Sequence, residues 1–88
     1  IGPWIETEFE AEDQVIESRV NGEVRQKALL SDMNFKPLEL VSYVSENVTL
    51  LPGDVIVTGS PAGISKIDSG DLIECEIEGV GTLINPVA

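Results

Sequence analysis

The sequence predicts a small, mainly β domain of the α+β class. Three observations support this prediction: short runs that alternate apolar and acidic residues, an Asn-Gly pair between two segments rich in β-branched residues, and a single stretch with helical spacing. With 88 residues, the chain has the length of one small domain or of a piece of a larger one.

The first part of the chain predicts three strands. Residues 5–13 begin by alternating apolar and acidic side chains, which is typical of a strand with one solvated face. Asn21-Gly22 tolerates the positive φ angles of a type I′ turn, so we expect a hairpin with strands at about 14–20 and 23–29. Residues 31–34 then form a turn or a helix cap.

The second part predicts one helix and three further strands. Residues 37–46 carry apolar side chains at i, i+3 spacing, Pro37 suits the first helical turn, and Asn47 is expected to end the helix. The later elements are, in order, a turn at 51–54, a strand at 55–58, a turn at 68–71, an alternating strand at 72–79 and a short strand at 82–85. The whole amounts to five or six strands.

Composition excludes several classes of function. The chain has 5 Lys and Arg against 16 Asp and Glu, a net charge of −11, which repels phosphate backbones and makes nucleic acid an unsuitable partner. The absence of histidine removes Ser-His-Asp and Cys-His catalysis and His-based metal sites. Cys75 is the only cysteine, which fits a cytoplasmic setting, and no apolar run is long enough for a membrane span. The first residue is not methionine, so we expect a fragment or a processed product.

Two acidic pairs raise the alternative of a cation site. Glu6-Thr7-Glu8 and Glu74-Cys75-Glu76 each place two carboxylates on one strand face, roughly 7 Å apart, and hard cations prefer such oxygen ligands. Alternation this regular is also what a solvated strand face produces. The sequence favours the solvated face.

Four other side chains have structural interpretations. Cys75 falls on the apolar face of its strand and is expected to be a buried, inert thiol. Asp54 is expected to accept hydrogen bonds from the backbone of its own turn. Trp4 and Tyr43 are expected to pack rather than to stack on bases, since no basic residue is interleaved with them.

Residues 58–63, which we call the TGSPAG loop, follow the apolar run Val55-Ile56-Val57 and contain two hydroxyls, two glycines and a proline. Successive N–H groups around small residues form a concavity that suits an anion, and Thr58 and Ser60 add hydroxyl donors. A carboxylate or keto oxygen is a suitable guest. Composition alone favours a structural turn over a ligand contact.

Nearly the whole chain, in order and spacing, resembles the C-terminal part of the fumarylacetoacetate hydrolase family. Each motif is weak alone, and together they are strong. The segments that carry the resemblance are Gly2-Pro3-Trp4, residues 20–26, Ser31-Asp32-Met33, residues 40–45, residues 49–56, the TGSPAG loop and Gly79-Val80-Gly81.

This resemblance implies a mixed β-roll, here a single partial domain over residues 1–88, assembled as a homodimer. It implies Mg²⁺ or Mn²⁺, sometimes Ca²⁺, and a small 2-oxo acid or β-dicarbonyl substrate that is hydrolysed at a C–C bond, decarboxylated, isomerised or dehydrated. The cation would act as a Lewis acid on the developing enolate. The family's metal ligands, lysine and general base all precede the Gly-Pro-Trp segment, so this chain is expected to hold no catalytic or metal-binding residue and to be inactive alone.

The resemblance also places substrate contacts in the TGSPAG loop. Ser60 occupies the position of a family threonine that touches the substrate's carboxylate or oxo group; serine keeps the hydroxyl but loses the methyl that restricts its rotamer. Thr58 and Gly59 are expected beside the same guest, and Gln26, after the hairpin, is expected to face the cavity. Glu74 and Glu76 lie far from the family's metal-binding Glu-x-Glu pair and are rejected as that site.

A second hypothesis is a non-catalytic β module that binds a partner chain or assembles with copies of itself. Exposed strand edges and apolar surface would favour such pairing.

Overall fold

The computed structural model describes all residues, 1–88, and contains a four-stranded antiparallel sheet, one α-helix and one turn of 3₁₀ helix. The predicted mainly β, α+β class is confirmed. The elements are β1 (Val15–Val20), β2 (Glu23–Leu29), the 3₁₀ turn (Leu30–Asp32), α1 (Pro37–Asn47), β3 (Leu72–Ile77) and β4 (Gly81–Pro86). The spatial order of the strands is β2-β1-β3-β4.

The predicted hairpin forms around Asn21-Gly22. Asn21 has φ 51° and Gly22 has φ 82°, the left-handed conformations that a type I′ turn needs. The two strands pair regularly from Val15 opposite Leu29 to Ser18 opposite Gln26, and then Arg19 faces Val24. Arg25 is therefore the extra residue of a β-bulge in β2.

Helix α1 begins at the predicted residue and ends at Asn47, one residue beyond the predicted range. Pro37 occupies the first turn, and the carboxylate of Glu39 accepts a hydrogen bond from the Lys36 N–H at 2.7 Å, which satisfies one of the free donors at the helix start. Neither helical segment has the length and apolar character that crossing a bilayer requires.

Strand β3 joins the hairpin to β4 and gives the sheet two different faces. Ile16 faces Ile77 across β1 and β3, and Val20 faces Ile73, so these apolar side chains share one face. The opposite face is charged, because Arg19 there faces Glu74. Asn21 links the hairpin turn to the start of β3: its amide donates to the Asp71 carboxylate at 2.8 Å and its side-chain oxygen accepts the Leu72 N–H at 2.9 Å.

The strand predicted at residues 5–13 does not form. The Glu8 N–H is bound by the Glu6 carboxylate at 2.9 Å and the Glu12 N–H by the Gln14 side chain at 2.6 Å, so side chains compete for the donors that a strand ladder would use. Trp4 anchors this irregular segment, because its Nε1–H donates to the Val80 carbonyl at 2.9 Å. The same ring packs against Gly81, where a Cβ atom would collide with it.

The strand predicted at residues 55–58 is also absent, which leaves four strands instead of five or six. Residues 55–67 make no backbone–backbone hydrogen bond at all. The side chains of Val55 and Val57 are 58% and 88% exposed. The β-branched sequence has strand propensity, but a strand also needs a neighbour to pair with, and this chain supplies none there.

The chain has almost no core. Val20 is its one buried residue, and the radius of gyration is 14.5 Å, against about 12 Å for a compact domain of this length. Cys75 is exposed rather than buried, although Val20 on the same face of the sheet is buried. Tyr43 is 70% exposed, so the packing expected for its ring is not formed either. The apolar surfaces that the sequence marks as interior are thus largely open to solvent.

Candidate functional site

The TGSPAG loop borders a cavity of about 350 Å³ next to the hairpin. Thr58, Gly59, Ser60 and Pro61 line one side of it, and Ile16 and Ala28 contribute the sheet. The other lining residues lie from the last residue of β2 to the first turn of α1, and they are mainly apolar: Leu29, Leu30, Asp32, Met33, Asn34, Phe35 and Leu40. A guest with a polar end and an apolar body matches this lining.

The polar side of the cavity offers unused donors. Thr58, Gly59 and Ser60 are exposed, and neither their N–H groups nor the two hydroxyls make a hydrogen bond within the chain. Gly59 has φ +92°, a left-handed conformation that glycine adopts without strain. Three of the four predicted contact residues therefore line one cavity. Whether they bind a substrate stays a prediction.

Asp32 and Asn34 line the same cavity, and the sequence assigned them only to a turn. The Asp32 carboxylate accepts a hydrogen bond from the Leu29 N–H at 3.1 Å, which explains its place after β2. Their position beside the TGSPAG loop depends on how distant segments meet, and a turn signal carries no such information.

Gln26, the fourth predicted contact residue, is not part of the cavity lining. Its Nε2–H₂ group donates to the Pro61 carbonyl at 2.8 Å, and its Oε1 accepts the Ser18 hydroxyl at 3.1 Å. Close by, Gly63 (φ +106°) lies so near β2 that a Cβ atom there would collide with the Arg25 carbonyl oxygen. These contacts attach the TGSPAG loop to the bulged part of β2.

The charged face of the sheet is organised by Arg19. Its guanidinium reaches Glu17 at 2.7 Å, Glu76 at 2.8 Å and Glu74 at 3.5 Å, and Lys27 reaches Glu17 at 3.2 Å. The hydrogen bonds from Arg19 and then Lys27 lower the pKa of Glu17, and those to Glu76 and Glu17 raise the pKa of Arg19. The strand face that carries Glu17, Glu74 and Glu76 is therefore an ion-paired face.

The residues of this chain do not fit a divalent cation. No group of three or more His, Cys, Asp or Glu side chains is arranged to hold a metal ion, and Glu74 and Glu76 are both engaged by Arg19. Asp54 has the structural role predicted for it, because its carboxylate accepts the Leu51 N–H at 2.8 Å inside the turn. The Mg²⁺ or Mn²⁺ implied by the resemblance thus finds no ligand set within these residues.

The family model for the C-terminal part of fumarylacetoacetate hydrolase matches residues 1–88. The chain is 43% identical to a bifunctional isomerase/decarboxylase of 4-hydroxyphenylacetate degradation from Salmonella dublin, over 99% of its length. It is 42% identical to a maleylpyruvate hydrolase from Aquipseudomonas alcaligenes, over 94%. A solved structure, a 5-carboxymethyl-2-hydroxymuconate delta-isomerase from Mycobacterium smegmatis, superposes on 99% of the chain with a TM-score of 0.94 and 45% identity.

The matches cover only part of each relative. This chain spans 21% of the Salmonella protein, 30% of the maleylpyruvate hydrolase and 35% of the solved isomerase. The strand order, the helix and the motifs all lie within that shared part, and the resemblance inferred from the motifs is confirmed. The chain therefore belongs to the fumarylacetoacetate hydrolase family and corresponds to that family's C-terminal segment.

Proposed function

We propose that this chain supplies the substrate-side wall of an enzyme that acts on small 2-oxo acids or β-dicarbonyl compounds. The observation that carries the proposal is the set of unused N–H and O–H donors that Thr58, Gly59 and Ser60 place along a cavity. The names of the relatives support the substrate class, because an isomerase/decarboxylase and a maleylpyruvate hydrolase both act on small organic acids. The reaction is one of C–C bond hydrolysis, decarboxylation, isomerisation or dehydration.

Each loop residue has a distinct part in this proposal. The Ser60 hydroxyl donates to a carboxylate or oxo oxygen of the substrate, and the hydroxyl of Thr58 and the amides nearby provide further donors. Gly59 allows the backbone to approach the guest closely. The apolar residues opposite, such as Met33 and Leu40, hold the carbon skeleton. We assign the divalent cation's ligands and the general base to protein outside residues 1–88. Residues 1–88 therefore contribute substrate binding alone.

A chimera tests this division of labour. The segment of the maleylpyruvate hydrolase that matches this chain is replaced by residues 1–88, and turnover of maleylpyruvate is measured. We expect the chimera to be active, and the isolated chain with added Mg²⁺ to turn over neither maleylpyruvate nor oxaloacetate. Rapid metal-dependent turnover by the isolated chain would contradict the proposal, as would a chimera that folds, judged by circular dichroism, but is inactive.

Substitution of Ser60 in the active chimera tests the loop itself. Ser60→Ala removes one hydrogen bond to a charged oxygen, which is worth about 1.5–3 kcal/mol, so KM is expected to rise about 10- to 160-fold. Ser60→Thr keeps the hydroxyl and is expected to stay near the parent KM. Ser69→Ala is the matched control, because Ser69 is also exposed and without a hydrogen bond but lies in the 68–71 turn. Equal KM values for the Ser60→Ala and Ser69→Ala chimeras would remove Ser60 from the substrate site.

The second hypothesis, a partner-binding or self-assembling β module, is favoured by a different observation. Cys75 on the apolar face of β3 is exposed, and so are Val55 and Val57 in the unpaired run 55–57. Surfaces of this kind bind protein, whether that protein is the remainder of an enzyme or an unrelated chain. The solution behaviour of the isolated chain separates the two hypotheses.

A further inference from the structure

The TGSPAG loop is not held by its own backbone. Residues 55–67 form no backbone–backbone hydrogen bond with any part of the chain, and the loop contains two glycines with positive φ, Gly59 and Gly63. A segment with so few internal constraints has many accessible conformations, and ordering it costs free energy. Its donors can face one point of the cavity only if contacts from another element fix it.

The hydrogen bond that reaches the loop comes from β2, as does its tightest backbone contact. The Gln26 amide donates to the Pro61 carbonyl at 2.8 Å, in the middle of the loop. The Arg25 carbonyl packs against Gly63 at the end of the loop, and the Arg25 guanidinium lies 3.4 Å from the Ser65 hydroxyl just beyond it. The β-bulge explains why two consecutive residues reach the loop, since Arg25 is the unpaired residue and need not alternate with Gln26 across the sheet.

The orientation of the Gln26 amide is fixed as well. Ser18 lies directly opposite Gln26 in β1, and its hydroxyl donates to Gln26 Oε1 at 3.1 Å. The Pro61 carbonyl can only accept a hydrogen bond, so it takes the NH₂ end of the amide, and the oxygen end is left for the Ser18 hydroxyl, which donates to it. Both side chains are half-buried, where an unmade hydrogen bond costs more than at the surface. Glutamine thus has a side chain long enough to offer an acceptor to Ser18 in β1 and a donor to Pro61 in the loop.

We propose that Gln26 is a positioning residue: with Ser18 behind it, it fixes the Pro61 carbonyl and thereby aims the donors of Thr58, Gly59 and Ser60 into the cavity. This inference rests on the proposed function for its effect on substrate. It assigns Gln26 a contact with the loop in place of the substrate contact that the sequence suggested. The Ser18–Gln26–Pro61 chain of hydrogen bonds is one unit, so removal of Gln26 makes Ser18 irrelevant to the loop.

The experiment uses the active maleylpyruvate hydrolase chimera. Gln26→Met keeps the size of the side chain and removes both hydrogen bonds, and we expect KM to rise about tenfold, with a lower kcat. Ser18→Ala is expected to raise KM about threefold in the parent and to have no effect in the Gln26→Met background, the non-additivity of a shared network. Gln14→Met is the matched control: Gln14 also makes two local hydrogen bonds, to Glu10 and Glu12, but none to the loop.

A spectroscopic measurement separates positioning from substrate contact. Selective ¹⁵N-glycine labelling of the ligand-free chimera reports on Gly59 and Gly63 directly. We expect Gln26→Met to shift or broaden both amide signals and Gln14→Met to leave them unchanged. If Gln26→Met raises KM while both signals stay in place, Gln26 contacts the substrate and the positioning role is overturned. If neither quantity changes, Gln26 has no role at this site.

Two further results keep this inference separate from the proposed function. A Gln26→Met effect on the glycine signals, combined with a Ser60→Ala chimera of parent KM, would support the loop attachment and refute substrate binding by Ser60. If Ser60→Ala raises KM and Gln26→Met has no effect, the result would support substrate binding by Ser60 and refute the loop attachment by Gln26. Should Gln26→Met fail to fold, Gln26→Glu serves instead, because it keeps the acceptor for Ser18 and removes only the donor. We expect Gln26→Glu also to shift the amide signals of Gly59 and Gly63.

Discussion

Gly63→Ala is expected to lower kcat/KM of the maleylpyruvate hydrolase chimera about a hundredfold, which corresponds to about 2.7 kcal/mol. Gly63 has φ +106°, a conformation that side chains with a Cβ rarely adopt, and its added methyl would collide with the Arg25 carbonyl oxygen. The left-handed conformation alone costs an alanine about 1–2 kcal/mol. The rest of the effect comes from displacement of the TGSPAG loop, because a backbone carbonyl in a strand cannot move aside as a flexible side chain can.

Gly70→Ala is the control that isolates the collision from the conformational strain. Gly70 has φ +92°, but no atom lies within 4 Å of the position that its Cβ would take. We expect Gly70→Ala to lower the melting temperature of the chimera without lowering kcat/KM by more than about twofold. Equal losses of kcat/KM in the two variants would mean that backbone strain, and not the contact with β2, accounts for the effect of Gly63→Ala.

The isolated chain is expected to associate in solution and to lack a cooperative melting transition as a monomer. Cooperative unfolding requires a shared core, and Val20 is the one buried residue in 88. The unpaired run 55–57 adds free backbone donors and acceptors next to exposed valines, which is the surface that recruits another strand. Sedimentation velocity at tens of micromolar, with thermal melting followed by circular dichroism, checks both points.

Val57→Lys provides the matching variant. Val57 is 88% exposed and contacts little within the chain, so lysine there is expected to weaken association while leaving the far-ultraviolet spectrum unchanged. A monomer that melts sharply would contradict the expectation and favour an autonomous β module over a part of a larger enzyme domain. A dimer that melts cooperatively would support the homodimer implied by the resemblance. That homodimer stays a prediction.

Local signals in the sequence predicted the elements that depend on few residues. Asn21-Gly22 fixed the hairpin, Pro37 marked the start of α1, and the alternation after Asp71 gave β3. The two wrong strands fail for a common reason: alternation or β-branching describes what one segment prefers, whereas a strand also needs an adjacent segment with free backbone groups. Residues 55–58 have no such neighbour here, and in residues 5–13 glutamate and glutamine side chains take the backbone donors.

The candidate site was predictable only in part for a similar reason. The TGSPAG loop is conspicuous in composition, so its residues could be singled out from the sequence. The contact between Gln26 and Pro61 spans 35 positions, and Asp32 and Asn34 reach the cavity through the path of the chain between β2 and α1. Contacts between segments that are distant in sequence depend on the tertiary structure. The exposure of Cys75 had the same origin, since the alternation placed it on the correct face but could not reveal how much of that face the rest of the chain covers.

The bulge at Arg25 restricts where this family segment can change in length. Ser18 and Gln26 lie eight positions apart, and that count includes the one extra residue that lets β2 reach the loop. Removing or adding a single amino acid in this interval would turn Gln26 away from Ser18 and Pro61 together. Insertions and deletions should therefore be tolerated at residues 66 and 67, whose backbone makes no hydrogen bond, and be excluded from the hairpin.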